Sequence, residues 1–244
     1  MAVIFYTCNY LETQNPTFWE NTQKQFKESV GDLQVISVSH KPMDLGINIC
    51  VGDIGRGHLN IYYQILTGCK RARDLGFKYV AMAEDDILYS YAHFHTMTPF
   101  SHNFLYDMQK LSLFTWTNPP QYSFRTNRRV INQMIAETDL LIEALEERFK
   151  RAEELRAMGW IENDILSKWG DIGRYEEKLG VTKRKVQEFY SEEPSIVFTH
   201  PKAFGYEFNH GKRKRLGDIK MYDIPKWGRA KDLLKTMWGD HPLL

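Results

Sequence analysis

Cysteine is scarce in this 244-residue chain. Its three cysteines, Cys8, Cys50 and Cys69, form no CxxC pair. That count excludes a disulfide scaffold and a thiolate metal cluster, and it fits a reducing compartment. Long apolar runs are also missing, since no stretch approaches the roughly 18 residues a membrane span needs. The opening Met1-Ala2-Val3-Ile4-Phe5 enters a strand-like pattern with no basic leader region or cleavage site, so a cytoplasmic protein is expected. No GxGxxG follows the first strand, where Thr7-Cys8-Asn9-Tyr10 stands instead. No GxxxxGK[ST] occurs either, and both a dinucleotide fingerprint and a P-loop are excluded. We read no internal repeat and no low-complexity segment.

What remains is ordinary globular composition, 43% hydrophobic and 26% charged, in a length that suits one large domain. Aromatics reach 14%, including 6 Trp, which serves either a large core or a stacking surface. The net charge of +1 is unevenly spread. Residues 200–244 hold 10 Lys/Arg against 5 Asp/Glu, and the first 199 residues carry a net −4. A basic tail on a slightly acidic body points to an anionic partner.

Residues 3–10 (VIFYTCNY) have the composition of a buried strand, and 33–38 and 77–83 read the same way. Between them, periodic segments at 15–30, opened by Asn15-Pro16, and at 58–74, closed before Gly76, read as helices. Alternating strands and helices predict an α/β sheet with parallel strands. A loop is expected between 39 and 57, and an irregular aromatic stretch over 90–126 with one strand near 111–116. A long helix is predicted over 128–158, with Ile131, Ile135, Leu141, Leu145, Phe149 and Leu155 as its apolar stripe. Shorter helices are predicted at 160–169 and 182–190, and a late strand at 195–199. The expected whole is a single domain. Its parts are residues 1–89, residues 90–199 with the long helix, and a basic segment at 200–244.

Glu84-Asp85-Asp86 directly follows the third strand, placing three carboxylates at the carboxyl edge of a sheet, where open α/β folds bind ligands. A divalent cation would relieve their mutual repulsion, and Mg²⁺ or Mn²⁺ so held keeps sites for diphosphate oxygens. A solvated acidic turn would carry the same residues. Gly52-Asp53-Ile54-Gly55-Arg56-Gly57 precedes the second helix and suits either anion contact, with Arg56 supplying charge, or a flexible turn.

With this triplet after two strand–helix units, the chain resembles the nucleotide-sugar glycosyltransferases of the GT-A fold, whose hallmark is a short acidic motif at that place. The resemblance covers roughly residues 3–215. It implies a GT-A-like (Rossmann-like) mixed sheet flanked by helices, with a helical insertion and a basic C-terminal segment. Residues 1–89 would be the nucleotide-sugar-binding half, 90–199 the acceptor-side half and 200–244 the closing segment. It also implies transfer of a sugar from a nucleoside-diphosphate donor, such as a UDP-sugar, to an acceptor hydroxyl with inversion. Asp86 would bind the metal, and Glu84 or Asp85 the ribose or the metal. Thr7 and Asn9 would line the nucleoside pocket, and Asn60 and Arg56 would lie near the nucleotide.

The family's catalytic carboxylate follows an aromatic residue at a helix start. Trp160-Ile161-Glu162-Asn163-Asp164 matches that pattern, although Asn163 separates acids that are usually adjacent. Asp164 is the expected base, with Glu162 as second choice. Several such families complete the metal site with a late His, here His200 or His210, and close a basic loop over the diphosphate, here from Lys212. The basic tail, interleaved with Tyr222, Trp227 and Trp238, together with Arg125, Arg128 and Arg129, also suits a nucleic-acid acceptor. The acceptor is therefore expected to be a glycan, a small molecule or a hydroxymethylated pyrimidine in DNA. A nucleotidyltransferase and a non-catalytic nucleic-acid-binding module are the alternatives.

Overall fold

The computed structural model describes residues 1–115, 117–124, 128–199 and 220–239. Along the chain these form β1 (Ala2–Thr7), α1 (Tyr10–Gln14), α2 (Pro16–Val30), β2 (Gln34–Ser39), β3 (Ile47–Cys50), α3 (His58–Asp74) and β4 (Tyr79–Glu84). There follow β5 (Ile87–Leu88), α4 (Tyr91–His95), β6 (Asn103–Asp107), β7 (Lys110–Phe114), β8 (Gln121–Phe124), a 3₁₀ turn (Ile131–Gln133) and β9 (Met134–Glu137). The remainder is α5 (Thr138–Ala157), α6 (Glu162–Trp169), α7 (Glu176–Leu179), β10 (Lys185–Phe189), β11 (Ser195–Thr199), β12 (Lys220–Met221), β13 (Asp223–Ile224), β14 (Gly228–Arg229) and α8 (Ala230–Trp238).

The main sheet has seven strands in the order β10-β6-β9-β4-β1-β2-β3. β1 pairs in parallel with both β2 and β4, β2 in parallel with β3, and β9 runs antiparallel between β4 and β6. Side chains alternate across it, as a period of two requires. Ala2, Ile4 and Tyr6 of β1 join Val80 and Met82 of β4 against α3 and α5. Val3 and Phe5 join Ala81 and Ala83 on the other face, against α2. A mixed α/β sheet flanked by helices is thus the architecture, as the sequence leads one to expect.

Two local signals explain how the first helices are placed. Asn15 caps α2 by accepting a hydrogen bond from the Phe18 N–H at 3.0 Å, with Pro16 in the first turn. Gly68 lets α3 press onto β1, because a Cβ there would sit 2.6 Å from Ile4 Cγ2 and 3.1 Å from Val38 Cγ2. Gly68→Val is therefore expected to destabilise the fold by about 1–3 kcal/mol through overpacking, read as a lower midpoint in urea at unchanged m.

A second sheet, β12-β8-β7-β11-β5, carries its own cluster beneath α8. Leu111, Leu113, Ile196 and Phe198 pack there with Phe18 of α2 and with Leu234 and Met237 of α8. Trp238 packs on Phe18 with ring centroids 4.7 Å apart and the rings tilted by 44°, and Trp227 donates from Nε1 to the Pro194 carbonyl at 2.7 Å. These two half-buried tail aromatics hold the described C-terminal residues to the body.

Four predicted segments differ. The helix expected over 182–190 is the edge strand β10, paired in parallel with β6 from Lys185↔Asn103 to Phe189↔Asp107. Pairing with a sheet edge outweighs the helical preference of its Lys, Gln and Glu. The long helix begins at Thr138 rather than 128, because Met134–Glu137 is inserted between β4 and β6. Ile131 and Ile135 fall on the helical stripe by spacing, yet Ile135 belongs to a strand buried on both faces. The stretch over 90–126 holds α4, β6, β7 and β8, and the loop after β2 contains the short strand β3.

Candidate active site

From β1 the chain moves outward to β2 and β3, then returns through α3 to place β4 on the other side of β1. That reversal makes the carboxyl ends of β1 and β4 a topological switch point, the position where open α/β sheets leave a crevice for ligands. Thr7 and Asp85 occupy it. The Thr7 hydroxyl donates to Asp85 Oδ2 at 2.5 Å, bridging the two strand ends. Around them opens a cleft of about 330 Å³.

Each carboxylate of the triplet has a distinct setting. Glu84 Oε2 accepts from Asn132 Nδ2 at 2.6 Å, while the Tyr89 hydroxyl accepts from the Glu84 N–H and donates to the Asn132 carbonyl, both at 3.0 Å. Burial pushes the Asp85 carboxyl up to about 6, against the lowering influence of the Thr7 hydrogen bond and the Arg56 charge. Asp86 lines the cleft beside them, and its carbonyl accepts from the Phe198 N–H at 2.9 Å, tying this edge to the second sheet.

Hard carboxylate oxygens crowded into a partly desolvated edge suit Mg²⁺ or Mn²⁺. Among the described residues, however, no group of three or more His, Cys, Asp or Glu side chains converges as a metal-binding set. An ion there would be held by one or two carboxylates and completed by ligand oxygens and water, and Asp86 and Asp85 would be the protein's donors. His200, His210 and Lys212 lie outside the described residues.

Of the other sequence-predicted residues, Arg56 and Asn60 line the cleft. The Arg56 guanidinium lies 3.9 Å from the Tyr10 ring centroid, and Asn60 donates to the Ile54 carbonyl at 2.5 Å, shaping the loop that carries Arg56. Asn9 is buried in the turn after β1 and does not line the cleft. Its amide donates to Glu12 and accepts from the Lys41 N–H, both at 2.9 Å, so it fixes the β1 and β2 loops to each other.

Glu162 and Asp164 are not brought to the cleft. Both are exposed in the first turn of α6, where Glu162 pairs with Arg156 at 3.1 Å. The face of α6 that reaches the cleft carries Leu166, Ser167 and Trp169 instead.

The carboxylate facing the cleft from that side is Asp171, in the loop after α6. Its Oδ1 accepts from the Tyr62 hydroxyl at 3.2 Å and the Ile131 N–H at 3.1 Å, and its Oδ2 pairs with Arg174 at 3.0 Å. The loop is held from behind. Tyr106 donates its hydroxyl to the Ile172 carbonyl at 2.8 Å, Arg129 donates to the Gly173 carbonyl at 2.9 Å, and the buried pair Arg148–Glu176 closes its far end at 2.9 Å. Gly170 makes the turn at φ 53°, where a Cβ would strike the Tyr175 ring.

A sequence signal for this loop exists. Gly170-Asp171-Ile172-Gly173-Arg174 repeats Gly52-Asp53-Ile54-Gly55-Arg56 residue for residue, and the structure sets both copies on the same cleft. All four glycines have positive φ, between 53° and 82°. This five-residue string departs from the expectation of no internal repeat; it is far shorter than a structural repeat, yet it marks both walls of the site.

The cleft is also rich in unmet polar groups. Tyr6 Oη, His40 Nε2, Asn132 Oδ1, Arg128 Nε and Trp169 Nε1 are buried with no hydrogen-bond partner among the described residues, and all five residues line it. Buried polar atoms are normally paired, so such a concentration marks a place completed by a polar ligand or water.

No protein-family model matches the chain, and no curated protein matches it in sequence. Among solved structures it is similar to the catalytic domain of Drosophila β1,4-galactosyltransferase 7 in complex with xylobiose. That likeness has 14% identity and a TM-score of 0.40, over 91% of this chain and 81% of that one. A mutant of that enzyme in complex with manganese, UDP-Gal and xylobiose is similar at 12% identity and a TM-score of 0.39, over 91% and 82%. Mannose-1-phosphate geranyltransferase from Thermus thermophilus is similar at 12% identity and a TM-score of 0.42, over 82% and 73%. No helix among the described residues is long and apolar enough to cross a membrane.

Proposed function

We propose that this protein is a metal-dependent glycosyltransferase that takes a sugar from a nucleoside-diphosphate donor, a UDP-sugar in the first instance. The observation that carries the reading is the pairing of an acidic edge with cationic walls at a topological switch point. Asp85 and Asp86 stand beside Arg56, Arg128 and Arg174 in one cleft. An anionic diphosphate arriving with a divalent cation matches both signs of charge at once. When bound, that cation would neutralise charge on the departing diphosphate.

The chain's own residues then divide the work. Thr7 holds Asp85 in place, Asn132 holds Glu84, and Arg56 faces the donor from the loop before α3. Asp171, on the opposite wall, takes the proton of the acceptor hydroxyl as its oxygen bonds to the anomeric carbon. The bond from that carbon to the diphosphate oxygen breaks on the far side, the nucleoside diphosphate leaves with the electron pair, and the configuration inverts. Asp171 replaces Asp164 and Glu162 in this role because it faces the cleft and they do not.

The acceptor we favour is a carbohydrate or other small hydroxyl compound. The DNA reading loses Trp227 and Trp238 to packing and keeps Tyr222, which is exposed. The test incubates the protein with Mn²⁺ and UDP-, GDP-, CDP-, ADP- and dTDP-hexoses, and identifies the released nucleotide. Release of one nucleoside diphosphate, quickened by a hydroxyl acceptor, is expected. Release of hexose 1-phosphate in place of a nucleoside diphosphate would identify nucleotidyl transfer instead, and no release from any donor would leave a binding module. Quickening by hydroxymethylated duplex alone would restore DNA as acceptor.

A further inference from the structure

We propose that His40 reads the base of the donor nucleotide, accepting at Nε2 a hydrogen bond from a ring N–H on the base's pairing edge. The inference rests on the nucleotide-sugar reading above and deepens it. β2 ends at Ser39, which lies in register with Thr7 at the end of β1, and His40 is the next residue. It lines the cleft, is 8% exposed, and leaves Nε2 buried with no hydrogen-bond partner among the described residues. Its other ring nitrogen, Nδ1, faces Asp53 Oδ1 at 3.6 Å.

This placement fits a base rather than a phosphate. Thr7 stands between His40 and Asp85, so a diphosphate at Asp85 and Asp86 leaves the nucleoside on the β2 side of the crevice. Tyr10 and Cys8 line that end as well, with Arg56 stacked on the Tyr10 ring. Burial, with the Arg56 charge adding to it, holds the His40 imidazole below its usual pKa, against the pull of exposed Asp53. The ring is therefore neutral at pH 7. Asp53 favours the proton on Nδ1, which leaves a lone pair at Nε2.

A lone pair there selects by chemistry. Uracil, thymine and guanine carry a ring N–H at the pairing edge, whereas cytosine and adenine present a ring nitrogen lone pair. The first group gives Nε2 the partner it lacks, and the second sets two lone pairs against each other. Leaving a buried acceptor unpaired is costly enough for a discrimination of about tenfold or more.

The test is calorimetric titration of the full chain with UDP, GDP, CDP and ADP in Mn²⁺, and with Mn²⁺–pyrophosphate as a probe that has no base. Wild type is expected to bind UDP or GDP at least about tenfold tighter than CDP and ADP. His40→Ala should erase that ratio while pyrophosphate affinity stays unchanged. His40→Gln, whose amide oxygen accepts the same N–H, should keep part of it. An unchanged ratio in His40→Ala, or no preference in wild type, overturns the role of His40 and leaves the nucleotide reading standing. Failure of wild type to bind any nucleotide or Mn²⁺–pyrophosphate overturns both.

Discussion

Asp86→Ala should lower sugar transfer by about 1,000-fold while leaving the fold intact. Its side chain lines the cleft at the carboxyl edge of the sheet, where the donor's diphosphate and its cation would meet the protein. Lewis-acid stabilisation of a leaving diphosphate is worth several kcal/mol, and about 4 kcal/mol corresponds to three orders of magnitude in rate. Truncation of a partly exposed carboxylate at a strand end removes little packing, so thermal stability without ligand should change by no more than a degree or two. The same variant should lose the Mn²⁺ dependence of nucleotide binding. Steady-state transfer with saturating donor, beside a melting curve without ligand, checks both halves. A rate within a few-fold of wild type would remove Asp86 from the metal site.

Asp171→Asn should cost about 100- to 10,000-fold in transfer, the range for loss of a positioned general base, whereas Asp164→Asn should stay within a few-fold of wild type. The contrast separates a motif matched by resemblance from a carboxylate placed by the fold. Asn keeps the shape of Asp171 and can still accept from Tyr62 and the Ile131 N–H, but it forfeits the charge that faces Arg174. Donor affinity measured alongside shows whether the loss is chemical. A fall in kcat with unchanged donor binding supports the base. If Asp164→Asn is the damaging change instead, α6 must present its first turn to the acceptor, and Asp171 is not the base.

The sheet was legible because its strands announce themselves locally. Residues 2–7 and 79–84 are short and mostly apolar, and both became buried central strands. The acidic triplet was legible for the same reason, since a carboxylate run at the end of a buried strand has few places to go. β9 and β10 were not legible. Both owe their conformation to pairing with distant strands, β4 and β6, and neither carries a composition that separates it from a helix.

The site divided along the same line. Thr7, Arg56, Asn60, Glu84, Asp85 and Asp86 sit at the ends of elements the sequence marks, and the structure gathers all six around one cleft. Glu162 and Asp164 follow from a family resemblance of residues 160–164, which says nothing of packing. Which face of a short helix turns inward is decided by packing, and Ile165 and Trp169 take the buried side. His40, Asn132 and Asp171 come together only through the tertiary fold, although the twice-used Gly-Asp-Ile-Gly-Arg string points at Asp171.

A metal-dependent nucleotide site is tested most directly by the melting temperature of wild-type protein with UDP, GDP, CDP, ADP or dTDP, each with and without Mn²⁺. A ligand at 100 times its Kd adds about 2.7 kcal/mol, and for a chain of this length each kcal/mol moves the midpoint by about 2–4 °C. We predict a rise of about 5–10 °C with UDP only when Mn²⁺ is present. No rise with any nucleotide, or a UDP rise indifferent to the metal, would contradict such a site.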